Sequence, residues 1–160
     1  MKDSHDLELI RDYPVRVGRL WAAVTRPSEI MQWFGPEGVR LETCEMDLTR
    51  TGPWVCVMVG KDSGDVFKVS GQVTHVRPPD SNGTGSVGFT WGWHDANDRR
   101  GAESHVTFAV APTESGARFT LTHRQLETLD ASQSHGRGWM STLNKLDRLL
   151  AQEPKFSTKE

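Results

Sequence analysis

Two cysteines and one tyrosine in 160 residues are the scarcest features of this sequence. Cys44 and Cys56 are too few for a disulfide framework, and their spacing matches no zinc motif. No run approaches the roughly 18 uncharged apolar residues of a membrane-spanning helix, so no membrane span is expected. Neither charge sign dominates: 19 basic residues against 21 acidic ones leave a net charge of -2. A nucleic-acid binder clusters Lys and Arg to neutralise phosphates, and no such stripe occurs, so nucleic acid is not an expected partner. The opening MKDSHDLELIRDY lacks the apolar core of a secretory signal, and a cytoplasmic location is expected.

What is present is an ordinary apolar share, 36% before its 15 glycines are added, on a length that suits one domain. Tryptophan is the exception, with six copies. Each brings a large apolar surface and one N–H that needs a partner when buried. Such a chain is building a dense core or lining a pocket.

The first periodicity is two: Leu7, Leu9 and Arg11 share a face over 6–13, the mark of a strand. Pro14 then suits a helix start. Val17, Leu20, Trp21 and Val24 follow at helical spacing, with Gly18 as a weak point inside. Thr25 is the expected cap of a second short helix, with Pro27 in its first turn, Ile30, Trp33 and Phe34 facing inward, and Gly35-Pro36 as its stop. From 38 to 125 the period returns to two, predicting strands at 38–48, 53–60, 65–77, 86–94, 103–111 and 117–125. The breaks between the last five carry turn chemistry: KDSGD, PPDSNGTG, DANDRRG and PTESG. Phe89, Trp91 and Trp93 lie on one strand face, and Phe119, Leu121 and His123 on another. An antiparallel sheet with one apolar face results, and something apolar must cover it. The cover is a final helix, capped by Asp130 with Gln133 as its box partner, in which Trp139, Leu143, Leu146 and Leu150 form a stripe widened by Met140 and Leu149. Gly136 and Gly138 weaken its first turns and admit close contact with a neighbour.

Several blocks in this order resemble a known family: Pro14-Val15 through Leu20-Trp21-Ala22-Ala23-Val24-Thr25, then Pro27 and Trp33-Phe34-Gly35-Pro36. Three later blocks agree: Phe89-Thr90-Trp91-Gly92-Trp93; Glu103-Ser104 before Val106-Thr107; and Leu121-Thr122-His123 with His135, Gly138-Trp139 and Leu143. Over about residues 6–151 the chain is similar to the heat-shock ATPase activator homologue-like (AHSA-type) family of the START-like (SRPBCC) superfamily. The resemblance implies an α+β helix-grip fold: a curved seven-stranded antiparallel sheet around a long C-terminal helix, two short helices after the first strand, and a cavity between. Residues 1–152 are expected as a single START-like domain and 153–160 as a loose tail.

The superfamily hosts carriers, small-molecule binders and cyclases, so function must come from residues. Trp33, Trp54, Trp91, Trp93 and Trp139 are the candidate stacking walls for a small hydrophobic ligand, aromatic, acyl or polyketide-like, which is carried or sensed. Against this stands a core filled by the same rings. His123 and His135 are the candidate polar groups, and on an apolar side each needs a partner: a ligand, a backbone carbonyl or an indole. A cyclase- or hydrolase-type enzyme using one of them is the alternative. It lacks an acidic residue to orient the base, so no catalytic residue is assigned. Neither cysteine has an adjacent histidine, and Gly83-Thr84-Gly85 is a hairpin turn with no helix after it, not a phosphate loop. The histidines at 5, 75, 94, 105, 123 and 135 show no i, i+4 pairing, so neither a metal nor another cofactor is expected. A chaperone-cofactor role is implied by the family's name. Its eukaryotic activators use a separate N-terminal domain for much of that contact, and this chain starts at its first strand, so a chaperone partner is not expected. Homodimerisation stays open.

Overall fold

The computed structural model describes residues 5–151. The expected tail from 153 lies outside them. The elements run β1 (Leu7–Tyr13), α1 (Val17–Thr25), α2 (Pro27–Trp33), β2 (Val39–Glu45), β3 (Gly52–Gly60), β4 (Val66–Arg77), β5 (Gly85–Trp93), β6 (Ser104–Thr113), β7 (Gly116–Arg124) and α3 (Leu129–Ala151). All seven strands join one curved antiparallel sheet in the order β1-β7-β6-β5-β4-β3-β2. This is the helix-grip fold. The meander from β2 to β7 follows from the polar turns, which leave each strand only its sequence neighbour to pair with. β1 closes on β7 in a register that sets Leu9 opposite Leu121 and Leu7 opposite His123.

The alternation read from sequence decides which side chains turn inward. Val106, Phe108 and Val110 of β6 are buried, as are Phe119, Leu121 and His123 of β7. The inward face of α3 presents Trp139, Leu143, Leu146 and Leu150, all buried. Asp147 then clamps this helix to the sheet edge: Arg11 donates to it at 2.6 Å and the Tyr13 hydroxyl at 2.7 Å.

Local signals were less dependable at the element ends. The first helix starts at Val17, three residues after Pro14, because Arg16, still extended, takes the cap position and Pro14 and Val15 lie before it. Thr25 does not cap α2: its hydroxyl donates back to the Trp21 carbonyl at 2.6 Å, and Arg26 takes the cap position with no side-chain bond. Pro27, which needs no donor, makes that tolerable. At α3 the cap is Thr128, whose Oγ accepts the Ala131 N–H at 3.0 Å, two residues before the expected Asp130. The expected strand 38–48 ends at Glu45, since Met46 and Leu48 turn into the core and the Leu48 N–H bonds Thr25 instead of a strand. Met140 is exposed and widens no stripe.

Gly18 sits within α1 with open space where a Cβ would stand. Gly18→Ala is therefore expected to raise folding stability by about 0.5–1 kcal/mol, the helix-propensity difference, as measured by urea unfolding. A loss of stability would show that this space is occupied.

Candidate functional site

Between the inner sheet face and the first turns of α3 lies a cavity of about 260 Å³. This is slightly below the roughly 300–1,000 Å³ common for small-molecule sites. Its walls are largely apolar. Phe34, Gly35 and Pro36 come from the turn after α2, Met58 from β3, and Phe67 from β4. Trp91 and Trp93 come from β5, and Ser134, His135, Gly138, Trp139 and Thr142 from α3. Phe67 and Trp93 are partly exposed, at 43% and 36%, so they form its rim. A smaller cavity of about 160 Å³ lies on the other side of Trp91, Trp93 and His135, toward Ser104 and Leu126.

The candidate tryptophans part ways here. Trp91, Trp93 and Trp139 reach the cavity, while Trp33 and Trp54 do not and are packed in the core. Trp33 is fully buried, donates to the Ala23 carbonyl at 2.8 Å, and meets Phe34 and Phe108. Trp54 donates to the Thr90 carbonyl at 3.0 Å and packs edge-on to Phe89. That carbonyl comes so close to Gly71 that a Cβ there would lie 1.9 Å from it, so only glycine fits opposite Trp54. Inward alternation placed both rings correctly inside; it did not tell a filled interior from an open one.

The two histidines are tied to two tryptophans. The Trp139 indole N–H donates to His123 Nδ1 at 3.0 Å, and Ser104 Oγ lies 2.7 Å from His123 Nε2. An indole can only donate, so Nδ1 is the bare nitrogen and Nε2 carries the proton toward Ser104. His135 repeats the pattern: its Nε2 accepts the Trp93 N–H at 3.0 Å and its Nδ1 faces the Ala131 carbonyl at 2.7 Å. The rings also touch, with His123 and His135 centroids 4.8 Å apart and Trp91 5.5 Å from His123. Burial pushes the basicity of His123 down to about 3, and the neighbouring His135 and His105 add to the shift. The free lone pair of each imidazole accepts from an indole, that of His123 from Trp139 and that of His135 from Trp93. His123 is not in the cavity wall; it stands behind Trp91 and Trp139 and fixes their positions.

One group in this assembly lacks a partner. Among the described residues, the Trp91 Nε1–H is a buried side-chain donor with no acceptor, and Trp91 is 5% exposed. It lines the cavity and stacks between Trp54 and Trp139 at centroid distances of 5.6 and 5.2 Å.

Sequence reasoning missed the other wall residues. Gly138 and Thr142 lie three and seven positions from His135 on the same helix face, a spacing that was there to be read. Nothing comparable marks Gly35, Pro36, Met58 and Phe67, which three separate segments bring together. No group of three or more potential metal ligands occurs among the described residues. No helix there is long and apolar enough to cross a membrane.

A sheet wrapped on a long helix with an apolar cavity between them defines a helix-grip protein, a fold compatible with ligand binding. Residues 14–151 match the model of the family described as "Activator of Hsp90 ATPase homolog 1-like protein", and the chain belongs to that family. It is 50% identical to the AHSA1 protein of Silicibacter pomeroyi, with a TM-score of 0.86 over 93% of this chain and 99% of that one. A protein from Chromobacterium violaceum shares the fold at 19% identity and a TM-score of 0.78, covering 92% of this chain and 99% of that chain. DynU16, a protein of the dynemicin biosynthetic locus, shares it at 21% identity and a TM-score of 0.68, over 92% of this chain and 48% of that one. Among curated proteins none matches the chain.

Proposed function

We propose that this protein binds and carries, or senses, a small hydrophobic ligand in the cavity between β5 and α3, without turning it over. The observation that carries this reading is the apolar cavity itself, walled by the rings of Trp91, Trp93 and Trp139, with the unpaired Trp91 N–H buried beside it. Leaving such a group unpaired costs about 1–3 kcal/mol, so a ligand carbonyl or hydroxyl that shifts the Trp91 ring enough to accept this proton gains what the empty site forgoes. Trp91, Trp93 and Trp139 supply aromatic faces for the remainder of the ligand, worth about 0.5–1.5 kcal/mol per ring pair beyond burial. Gly138 keeps the helix side open, since a Cβ built there meets nothing within 4 Å.

The test is a tryptophan-fluorescence titration with flavonoids, acyl chains and polyketide-like aromatics. Trp91→Phe keeps a ring and removes the donor. It is expected to weaken ligands that carry an acceptor about fivefold, the equivalent of one hydrogen bond of about 1 kcal/mol, and to spare those without one. Gly138→Leu is expected to abolish binding while leaving thermal stability equal or higher, because it fills open space and favours the helix. Undiminished binding in Gly138→Leu would place the ligand elsewhere. Consumption of a ligand with turnover, lost in His135→Ala, would replace the carrier reading with an enzyme.

A further inference from the structure

A second cleft, of about 440 Å³, opens beside the apolar cavity and has the opposite character. Lys61 after β3, Lys145 and Arg148 on α3, and Glu37, Gly38 and Val39 before and within β2 form its walls. The backbone holds it together. The Lys61 N–H donates to the Gly38 carbonyl at 2.8 Å, and the Glu37 N–H donates to Ser141 Oγ at 2.8 Å. Three cations therefore face one carboxylate, Glu37, and Arg148 already pairs with that carboxylate. One proton of the half-buried Lys145 ammonium goes to the Phe34 carbonyl at 3.4 Å. Burial, Lys61 and Arg148 all lower its basicity and Glu37 opposes them, so the group stands in a surplus of positive charge.

The two spaces are neighbours by construction. Residues 34–36 wall the apolar cavity and residues 37–39 wall the basic cleft. On α3, Thr142 borders the first and Lys145 the second, three residues or about 4.5 Å further along the axis. Three cations against the single carboxylate of Glu37 leave the cleft with net positive charge, which a further anion would offset.

We propose that the ligand is an amphiphilic anion, its apolar body against Trp91 and Trp139 and its carboxylate or phosphate head among Lys61, Lys145 and Arg148. This rests on the ligand-binding reading above and adds the chemical class of the ligand. A single molecule then uses both spaces, and the head fixes which end enters.

The experiment compares three ten-carbon probes, 1-decanol, decanoate and decyl phosphate, with inorganic phosphate alone, by fluorescence and calorimetry. At low salt the two anions are expected to bind about tenfold or more tightly than the alcohol, a gap that narrows as salt screens the cleft. Lys61→Ala with Lys145→Gln is expected to cost the anions about tenfold and to leave decanol unchanged, while Lys61→Ala alone, at an exposed position, costs them about threefold. Equal affinity for decanol and decanoate, or equal weakening of both by the lysine variants, overturns the proposal and leaves the carrier reading standing. Inorganic phosphate that binds the cleft and leaves both decyl phosphate and decanoate affinity unchanged overturns it too, since head and body would then occupy separate sites. If none of the probes, nor any ligand of the aromatic panel, binds, both readings fall together.

Discussion

Leu143→Ala is expected to cost about 2–5 kcal/mol of folding stability, measured as a shifted urea midpoint at unchanged slope. Leu143 is fully buried at the centre of the inward stripe of α3, between Trp139 and Leu146. Truncation removes its transfer energy and leaves a void between packed neighbours: a sheet whose inward side chains are branched and aromatic, and a helix pinned by Asp147 to Arg11 and Tyr13. Because that clamp restrains the helix from sinking into the gap, the effect belongs in the upper half of the range. Met140→Ala is the control. Its side chain is 51% exposed on the same helix, and the change is expected to stay within about 0.5 kcal/mol. A Leu143 loss no larger than that would mean that α3 does not cap the sheet.

The architecture was legible because two periods alternate cleanly along the chain. Leu7, Leu9 and Arg11 alternate with exposed neighbours in β1, and Trp139, Leu143, Leu146 and Leu150 recur at helical spacing in α3. Sidedness of that kind depends on burial, the largest energy in the system, and survives local irregularity. Caps depend on a single hydrogen bond of about 1 kcal/mol, which competing donors easily displace. Thr25 turned back to Trp21, and Thr128 displaced Asp130, for that reason.

The site was legible only as far as sidedness reaches. Trp91, Trp93, His135 and Trp139 all border the cavity. Whether a ring meets empty space or another ring depends on residues far away in sequence: Trp33 is filled in by Phe108 and Trp54 by Phe89. The basic cleft was invisible for the same reason. Lys145 and Arg148 are one turn apart, but Lys61 joins them only through the β3–β4 turn held against Gly38. Cys44 and Cys56, read singly, meet as cross-strand partners of β2 and β3.

Acidification from pH 6.5 to 4 is expected to remove roughly 3 kcal/mol of stability through His123 alone, at about 1.4 kcal/mol per pH unit once the unfolded imidazole is protonated. In the unfolded chain this imidazole takes a proton near pH 6.5. In the folded protein burial holds it neutral down to about 3. Between those values the unfolded state binds the extra proton, so falling pH pulls the equilibrium toward unfolding; above pH 6.5 both states are neutral and the group contributes no slope. The geometry explains the resistance. Nδ1 is already committed to the Trp139 indole, and a proton there would set two donors against each other in a site with no exposure. His123→Asn offers an amide oxygen to the same indole and has no proton to gain. Its stability, whatever the offset at pH 7, is expected to fall clearly less steeply than the wild type's from pH 6.5 to 4.5, the slope that remains including that of His105, whose basicity burial also lowers. The Asp12 carboxyl is held below its usual range by the Arg118 hydrogen bond and titrates below this window. Urea unfolding at half-unit pH steps separates the two curves. Parallel slopes across the window would mean that His123 takes up its proton in the folded state, and that its bond from the Trp139 indole does not hold it neutral.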